Sequence, residues 1–359
     1  MIPRLYPAEE ETFASFGDSL NDCIACEVSE ERNGEFVLYM EYPQGGIHGK
    51  EIEIDKIILA KPRDGAEEPE PFRITDISAS INGAYVINAE HISYQLNHII
   101  VGQITKTTRY AERAMTQVVR DKLLSASCPF TFISDIGEES SPVKTVGPSK
   151  AMSMREYLGG TEGSVLDTYG GEFLWNRWNV SLLASRGNNN GVKITYGKNI
   201  TGLNYEIDLS SVYTGVVAFF MNETDYVESA LQTIQNSYAF ERSIVVDASS
   251  EFQSVPTVEQ LNTWAANYLA ANSAGARMTV TVNFIPLWQS IEYKDFYDLE
   301  HVSLCDTVEV IYPPLNLDLS AKVVRTVYDV LRERYKEITI GTPGASLDGT
   351  IVKLLKKTK

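Results

Sequence analysis

Cys23-Ile24-Ala25-Cys26-Glu27-Val28-Ser29-Glu30 and Glu35-Phe36-Val37-Leu38-Tyr39-Met40-Glu41-Tyr42-Pro43 flank the dipeptide Asn33-Gly34, and together they read as a β-hairpin. Asn-Gly adopts positive φ at little cost and fits the two-residue turns whose twist matches paired strands. The chain therefore opens as sheet. The spacing Cys23-x-x-Cys26 invites a redox or metal reading, but redox pairs open helices. Residues three apart on a strand point to opposite faces, so the two sulfurs are expected to diverge.

Working outward, Ile52, Ile54, Ile57, Ile58 and Leu59 follow the polar turn Gly45-Gly46-Ile47-His48-Gly49. Phe72-Arg73-Ile74-Thr75-Asp76-Ile77 is predicted as a strand with Phe72, Ile74 and Asp76 on one face. Ala84 to Ala89 and the His91 segment complete a strand-rich region of the kind that closes a small barrel or sandwich. Ala111, Ala114, Met115, Val118, Val119 and Leu123 keep helical spacing, with Thr107 or Thr108 as the expected cap. Ser153 and Glu156 have the capping-box form, as do Thr257 and Gln260, which begin a helix predicted to reach Ala271 and stop at Gly275. A helix is also predicted near residues 162–169, and strand Phe130 to Ile133 precedes these two. After Gly170-Gly171, Asn179 to Arg186 and Val192 to Ile200 flank Gly187-Asn188-Asn189-Asn190-Gly191 and read as a second hairpin. Residues 224–240 are ambiguous between helix and extended chain. Strands are predicted at Met278 to Phe284, Asp306 to Tyr312, Ala321 to Asp329 and Glu337 to Gly341, with Leu331 to Arg334 as a turn or exposed edge. A basic tail closes the chain.

With 359 residues the chain exceeds one ordinary core, which stops growing near ~250–300 residues, so several modules are expected. A hydrophobic content of 43% and nineteen tyrosines suit globular packing rather than long disorder. The formal net charge of −17 disfavours adhesion to nucleic-acid phosphates or anionic lipid. It aids solubility and also suits a wall past which DNA slides without sticking. No apolar run reaches the ~20 residues that span a bilayer, and the start lacks the apolar core of a signal peptide. The expectation is a soluble chain made in the cytoplasm, where the sequons at Asn179, Asn199 and Asn222 are incidental.

The sequence has no zinc helix of the His-Glu-x-x-His type, no nucleophile elbow, no Walker loop and no dinucleotide fingerprint. Four cysteines make no disulfide framework, and Cys128, Cys305, His48, His91, His98 and His301 stand alone as ligands. His91, which Cys26 or Cys128 could approach in space, is the best candidate for nucleophilic catalysis, but its strand context favours a hydrogen-bonded structural imidazole. Trp175 and Trp178 could stack sugars or bases; core or interface packing is the reading preferred. Accordingly no catalytic, cofactor or metal residues and no cofactor are expected.

Several short stretches occur in a telling order: Glu30-Glu31-Arg32-Asn33-Gly34-Glu35-Phe36-Val37-Leu38, Tyr42-Pro43, Phe72-Arg73-Ile74, Ala89-Glu90-His91-Ile92-Ser93-Tyr94, Tyr169-Gly170-Gly171-Glu172, Ile194-Thr195-Tyr196-Gly197-Lys198-Asn199-Ile200, and Cys305-Asp306-Thr307-Val308 with Tyr328-Asp329. From about residue 15 to 345 they resemble the amino-terminal structural region of tail-associated proteins of siphophages and prophages of Gram-positive bacteria, the prophage endopeptidase tail family. The resemblance implies an α+β, mostly β fold of two small β-barrel domains joined by α/β inserts, similar to the baseplate hub of contractile-tailed phages. The implied modules are a first barrel (1–102), a helical α+β insert (103–170), a second barrel (171–222 and 276–345), an α/β insert (223–275) and a tail (346–359).

What the resemblance implies for function is a homotrimeric hub in the virion that closes the tail tube and docks on the distal tail ring. Its expected partners are the distal tail protein, the tape-measure protein and receptor-binding or baseplate proteins. Phage DNA would pass through without specific binding, and no membrane anchor is expected. Strands at Val308 to Ile311 and Val323 to Val327 are candidate trimer contacts, although edges buried within one barrel would read the same way. The alternative is a peptidoglycan endopeptidase acting in wall penetration, although hydrolytic modules of this family usually lie beyond the hub region.

Overall fold

Alternation of apolar and polar side chains decides the first sheet. Along Ala25–Glu31 the residues Cys26, Val28 and Glu30 are buried, and along Phe36–Pro43 Phe36, Leu38, Met40 and Tyr42 are buried. These sets face each other in register, Cys26 opposite Met40, Val28 opposite Leu38 and Glu30 opposite Phe36. Each such apolar side chain contributes about 1.5–3 kcal/mol by leaving water. The computed structural model describes residues 1–341 other than 80, 82, 162, 199, 209–211, 236, 237, 253, 273–276, 285–300 and 316. The predicted tail at 346–359, the stop at Gly275 and the sequon at Asn199 lie outside the described residues.

The chain is mostly β and divides into two compact units, the first from Met1–Leu203, Thr281–Glu309 and Lys322–Ile340, the second including Asn204–Val280 and Val310–Ala321. In the first unit a curled sheet extends from the hairpin on both sides. Strand Ala84–His91 pairs with Phe36–Pro43, and Glu70–Ala79, Ile57–Ala60, Arg4–Tyr6 and Asp18–Ser19 follow in that order, all antiparallel. On the other flank Leu317–Asp329 pairs with Ala25–Glu31, Arg325 opposite Glu31 and Asp329 opposite Glu27, with Arg334–Gly341 beyond it.

Two local expectations fail for identifiable reasons. The ladder between Glu70–Ala79 and Ala84–His91 shifts between Ile74 and Asp76, so Ile74 faces Ala89 and Asp76 faces Asn88. The extra residue, Thr75, is a β-bulge that turns Asp76 off the face of Phe72 and Ile74, and Asp76 is exposed. At the hairpin tip the positive φ falls on Asn33 (58°), with the Gly34 N–H bonded to the Glu31 carbonyl at 3.1 Å and the Glu31 N–H to the Glu35 carbonyl at 2.7 Å. The loop thus holds three residues, Arg32, Asn33 and Gly34, rather than two.

Helix Ala111–Lys122 buries Ala111, Ala114, Met115 and Val118 and packs on strand Thr131–Ser134. Its N-cap is Tyr110 without a side-chain cap, because Thr108 Oγ1 accepts from the Tyr110 N–H instead, at 3.1 Å. Helix Met154–Leu158 has the predicted capping box of Ser153 and Glu156, and helix Val165–Tyr169 is capped by Ser164 and ended by Gly170. Strand Asn179–Leu183 pairs antiparallel with Glu172–Asn176 and parallel with Thr131–Ser134.

The second predicted hairpin therefore does not form. Lys193–Thr195 pairs instead with Thr307–Tyr312. The Thr307 N–H reaches the Asn188 carbonyl at 2.9 Å and the Glu309 N–H reaches the Val192 carbonyl at 2.9 Å, so residues 188–192 are already committed to a distant strand.

The second unit has its own core. Strand Gly215–Met221 is flanked by Tyr226–Glu228 and Gln232–Thr233, both antiparallel, and by Ser243–Asp247, parallel. The stretch that was ambiguous in sequence is thus extended where strands are described. Helix Val258–Asn272 lays Leu261, Ala265 and Leu269 over Val216 and Ala218. Its capping box forms as predicted, Thr257 N–H to Gln260 Oε1 at 2.8 Å and Gln260 N–H to Thr257 Oγ1 at 3.2 Å. No described helix is long and apolar enough to cross a membrane.

Candidate functional site

The hairpin tip is anchored by the residue that shapes it. Asn33 Nδ2 donates to the Gly171 carbonyl at 3.0 Å, and Asn33 Oδ1 accepts from the Phe173 N–H at 2.8 Å. One side-chain amide thus pairs with the backbone as a neighbouring strand would. The Gly34 carbonyl accepts from Arg155, whose guanidinium also reaches Ser93 Oγ at 3.0 Å and lies against the rings of Tyr94 and Trp175. Asn33→Gly keeps the backbone free to hold positive φ but removes both amide contacts. It is expected to lower stability by about 1–3 kcal/mol, from two hydrogen bonds of ~0.5–1.5 kcal/mol each. Asn33→Ala should cost more, because alanine also resists the left-handed region. A urea unfolding midpoint that does not move in Asn33→Gly would refute the anchor.

Beneath this tip lies a buried ion cluster. Glu30 is 1% exposed, and its Oε1 stands 2.7 Å from the Arg186 guanidinium while Oε2 stands 3.4 Å from Arg63. Glu172, 2% exposed, meets Lys322 at 2.6 Å and Arg32 at 3.1 Å through Oε1, and its Oε2 accepts from the Arg186 backbone N–H at 2.8 Å. The Glu30 Oε1 and Arg32 Nε contacts are Coulombic rather than aligned hydrogen bonds. Burial raises the Glu30 carboxyl, but Arg186 and Arg63 outweigh it and hold it below its usual range. Glu172 behaves likewise, burial being outweighed by Lys322 and the Arg186 N–H. The sequence reading missed this cluster. Its one signal was parity: Glu30 falls on the same strand face as Cys26 and Val28.

The sequence-derived candidates are scattered. His91 is fully buried, stacked on Phe36 at 4.4 Å. Its Nδ1 accepts from the Ser93 N–H at 3.2 Å, so Nε2 carries the proton and donates to Glu70 Oε2 at 3.2 Å. Both nitrogens are thus engaged, as a structural imidazole requires. Glu70 Oε2 also accepts from the Arg177 N–H at 2.7 Å. Reactive cysteines need lowered thiol pKa values. Here burial raises Cys26 and Cys128 and pushes Cys305 up to about 12. The expected divergence of Cys23 and Cys26 does not hold: the strand starts at Ala25, so its alternation never reaches Cys23, whose Sγ donates to the Ala25 carbonyl at 3.2 Å, and the Cys23 thiol lies near enough to add to the rise that burial gives Cys26.

Trp175 is 5% exposed and stacked on Phe173, whereas Trp178 is half-buried, with its Nε1 donating to the Glu11 carbonyl at 3.0 Å and its ring edge against Phe130. The strands at 308–311 and 323–327 offer no open edge along 323–327, which is paired with Ala25–Glu31 and lies beside Arg334–Gly341. Thr307–Tyr312 is likewise paired, with Lys193–Thr195 and Leu317–Asp329. Intrachain pairing therefore takes the edges that sequence offered to a partner. The outward face of the first sheet carries a polar groove of about 380 Å³ lined by Glu27, Tyr39, Asn88, Arg325, Lys336 and Glu337, whose charges neutralise one another in the pairs Lys336–Glu27 and Arg325–Glu337. His48, expected to stand alone, has Asp18 and Glu51 beside it.

Comparison with known proteins places this arrangement. Residues 188–350 match the model of the family described as prophage endopeptidase tail. No curated protein sequence matches the chain. Among solved structures, prophage tail protein gp18 from Listeria monocytogenes EGD-e is similar at a TM-score of 0.54 with 14% identity, covering 99% of each chain. The 43 kDa tail protein of prophage MuSo2 from Shewanella oneidensis is similar at 0.60 with 11% identity, covering 96% of this chain and 98% of that one. A tail protein from Neisseria meningitidis MC58 is similar at 0.59 with 10% identity, covering 96% and 97%. At such identities the likeness is one of fold. Residues 188–350 of this chain are thus similar to the prophage endopeptidase tail family, and the chain as a whole has the fold of prophage tail proteins.

Proposed function

We propose that the chain is a structural subunit of the phage tail tip, a hub of three copies that closes the tail tube, docks on the distal tail ring and forms part of the path by which DNA leaves the virion. The observation that carries this reading is the likeness in fold to three prophage tail proteins over nearly the full length of both partners. The net charge of −17 supports a channel wall that DNA phosphates do not adhere to. The distal tail protein, the tape-measure protein and receptor-binding or baseplate proteins are the neighbours such a hub would meet. A hydrolytic role for His91 is disfavoured by the engagement of both its ring nitrogens and by thiols held protonated through burial.

Three copies around an axis close a cyclic assembly through one repeated, head-to-tail interface. Light scattering on the eluting peak should give three times the 40.0 kDa chain mass, alone or after mixing with the distal tail protein. A monomer under both conditions at micromolar concentration would overturn the hub reading.

A further inference from the structure

The turn after the opening hairpin is built to fixed dimensions. An added Cβ at Gly46 would stand 2.6 Å from the Tyr42 ring, and one at Gly49 would stand 2.6 Å from the Gln44 carbonyl. Glycine alone therefore lets this loop close so tightly. The Gln44 N–H is bonded to the Gly83 carbonyl at 2.8 Å, the Gly49 N–H to the Gly46 carbonyl at 3.0 Å and the Ile47 N–H to Asp22 Oδ2 at 2.8 Å. His48 precedes the single turn Gly49–Glu51 at its N-cap position, without a side-chain cap bond, so His48 and Glu51 lie on one side of it, with His48 Nδ1 2.7 Å from Glu51 Oε2. Asp18 arrives from another element, the strand Asp18–Ser19 held by Arg4–Tyr6. One ligand atom from each of Asp18, His48 and Glu51 lies within 4.8 Å of the other two.

From this convergence we propose that Asp18, His48 and Glu51 hold one divalent transition-metal cation, with the remaining coordination positions open to water or to a carboxylate or imidazole of a neighbouring tail subunit. Metal–ligand bonds of ~2.0–2.2 Å place ligand atoms about 3–4 Å apart around an ion, so small side-chain adjustments close the set. One imidazole and two carboxylates suit zinc, manganese, cobalt or nickel better than the all-oxygen shells of calcium and magnesium. Lys56 leaves the ligands available: its Nζ donates to the Glu51 backbone carbonyl at 2.6 Å and approaches the Glu53 carboxylate at 3.6 Å, away from the Glu51 carboxylate contact with His48. Asp22 does not join the set, since its carboxylate holds the loop through the Ile47 N–H.

Calorimetric titration of the chelator-treated full chain with Zn²⁺ should show one saturable site per chain, and Co²⁺ should give visible ligand-field absorption. His48→Ala and Asp18→Asn should each weaken Zn²⁺ binding by roughly tenfold or more while leaving the melting temperature of the metal-free chain unchanged, since both ligands lie on a surface turn or short edge strand. Zn²⁺ should raise the melting temperature of the parent and not of His48→Ala, by preferential binding to the folded state. Absence of saturable heat up to millimolar Zn²⁺, or equal affinity in His48→Ala, would overturn the site and leave an ordinary His48–Glu51 ion pair beside Asp18.

Discussion

Arg186→Met is expected to lower the unfolding free energy by about 3–5 kcal/mol, the usual cost of removing one partner from a buried ion pair. Glu30 would lose its closest cation, at 2.7 Å, and keep only Arg63 at 3.4 Å. The Phe173 carbonyl would also lose the guanidinium donor it has at 3.1 Å. The backbone bond from residue 186 to Glu172 survives, so the change reports on the side chain. The double replacement Glu30→Leu with Arg186→Met should recover most of the loss, because apolar groups of similar volume need no desolvated partner. Urea denaturation of the two variants decides: a single-variant cost under about 1 kcal/mol, or a double variant no better than the single, would contradict the cluster.

The same cluster sets an acid limit with a definite sign. The folded-state carboxyls of Glu30 and Glu172 lie below the ordinary value of 4.5, so their contribution is present above that pH and is lost as pH falls through the depressed folded values. The parent should therefore lose melting temperature on acidification below 4.5. In Arg186→Met, burial would dominate at Glu30, and its share of the acid loss should shrink or reverse.

What sequence made legible in this chain was local. The hairpin strands and both capping boxes rest on residues within a few positions of one another, where parity and side-chain-to-backbone bonds act directly. Pairings across more than a hundred residues left no such trace. Nothing near Lys193–Thr195 says that its neighbour is Thr307–Tyr312 rather than Asn179–Leu183, and the asparagine-rich turn between them looked like hairpin punctuation. Asn33 was legible as a turn former, yet its docking on Gly171 and Phe173 depends on the packed chain. The cluster around Glu30 is a middle case: parity placed the carboxylate inward, but its cations come from residues 63 and 186, which no local pattern connects. The triad of Asp18, His48 and Glu51 is similar, two members adjacent on one turn and the third delivered by the sheet.

The distant pairing at residues 188–195 gives the second large effect, at Gly187. An added Cβ there would lie 2.1 Å from both the carbonyl carbon and oxygen of Cys305 and 2.4 Å from the Asp306 nitrogen. These are backbone atoms, so no rotamer change relieves the overlap. Nor can the facing segment move easily: Asp306 Oδ1 accepts from the Asn188 N–H at 2.7 Å, Oδ2 accepts from the Ser303 N–H at 2.7 Å, and Cys305 already holds a φ of 74°. Gly187→Ala should therefore cost about 3 kcal/mol or more, the upper part of the range for overpacking, or prevent soluble accumulation. Gly191→Ala is the matched control in the same loop, since Gly191 has a φ of 70° but no atom within 4 Å of an added Cβ. It should lose only the ~1–2 kcal/mol of left-handed strain. Thermal melts of both variants separate the two causes. If Gly187→Ala were no more damaging than Gly191→Ala, the close approach of residues 187 and 305 could not be what joins the asparagine turn to its distant strand.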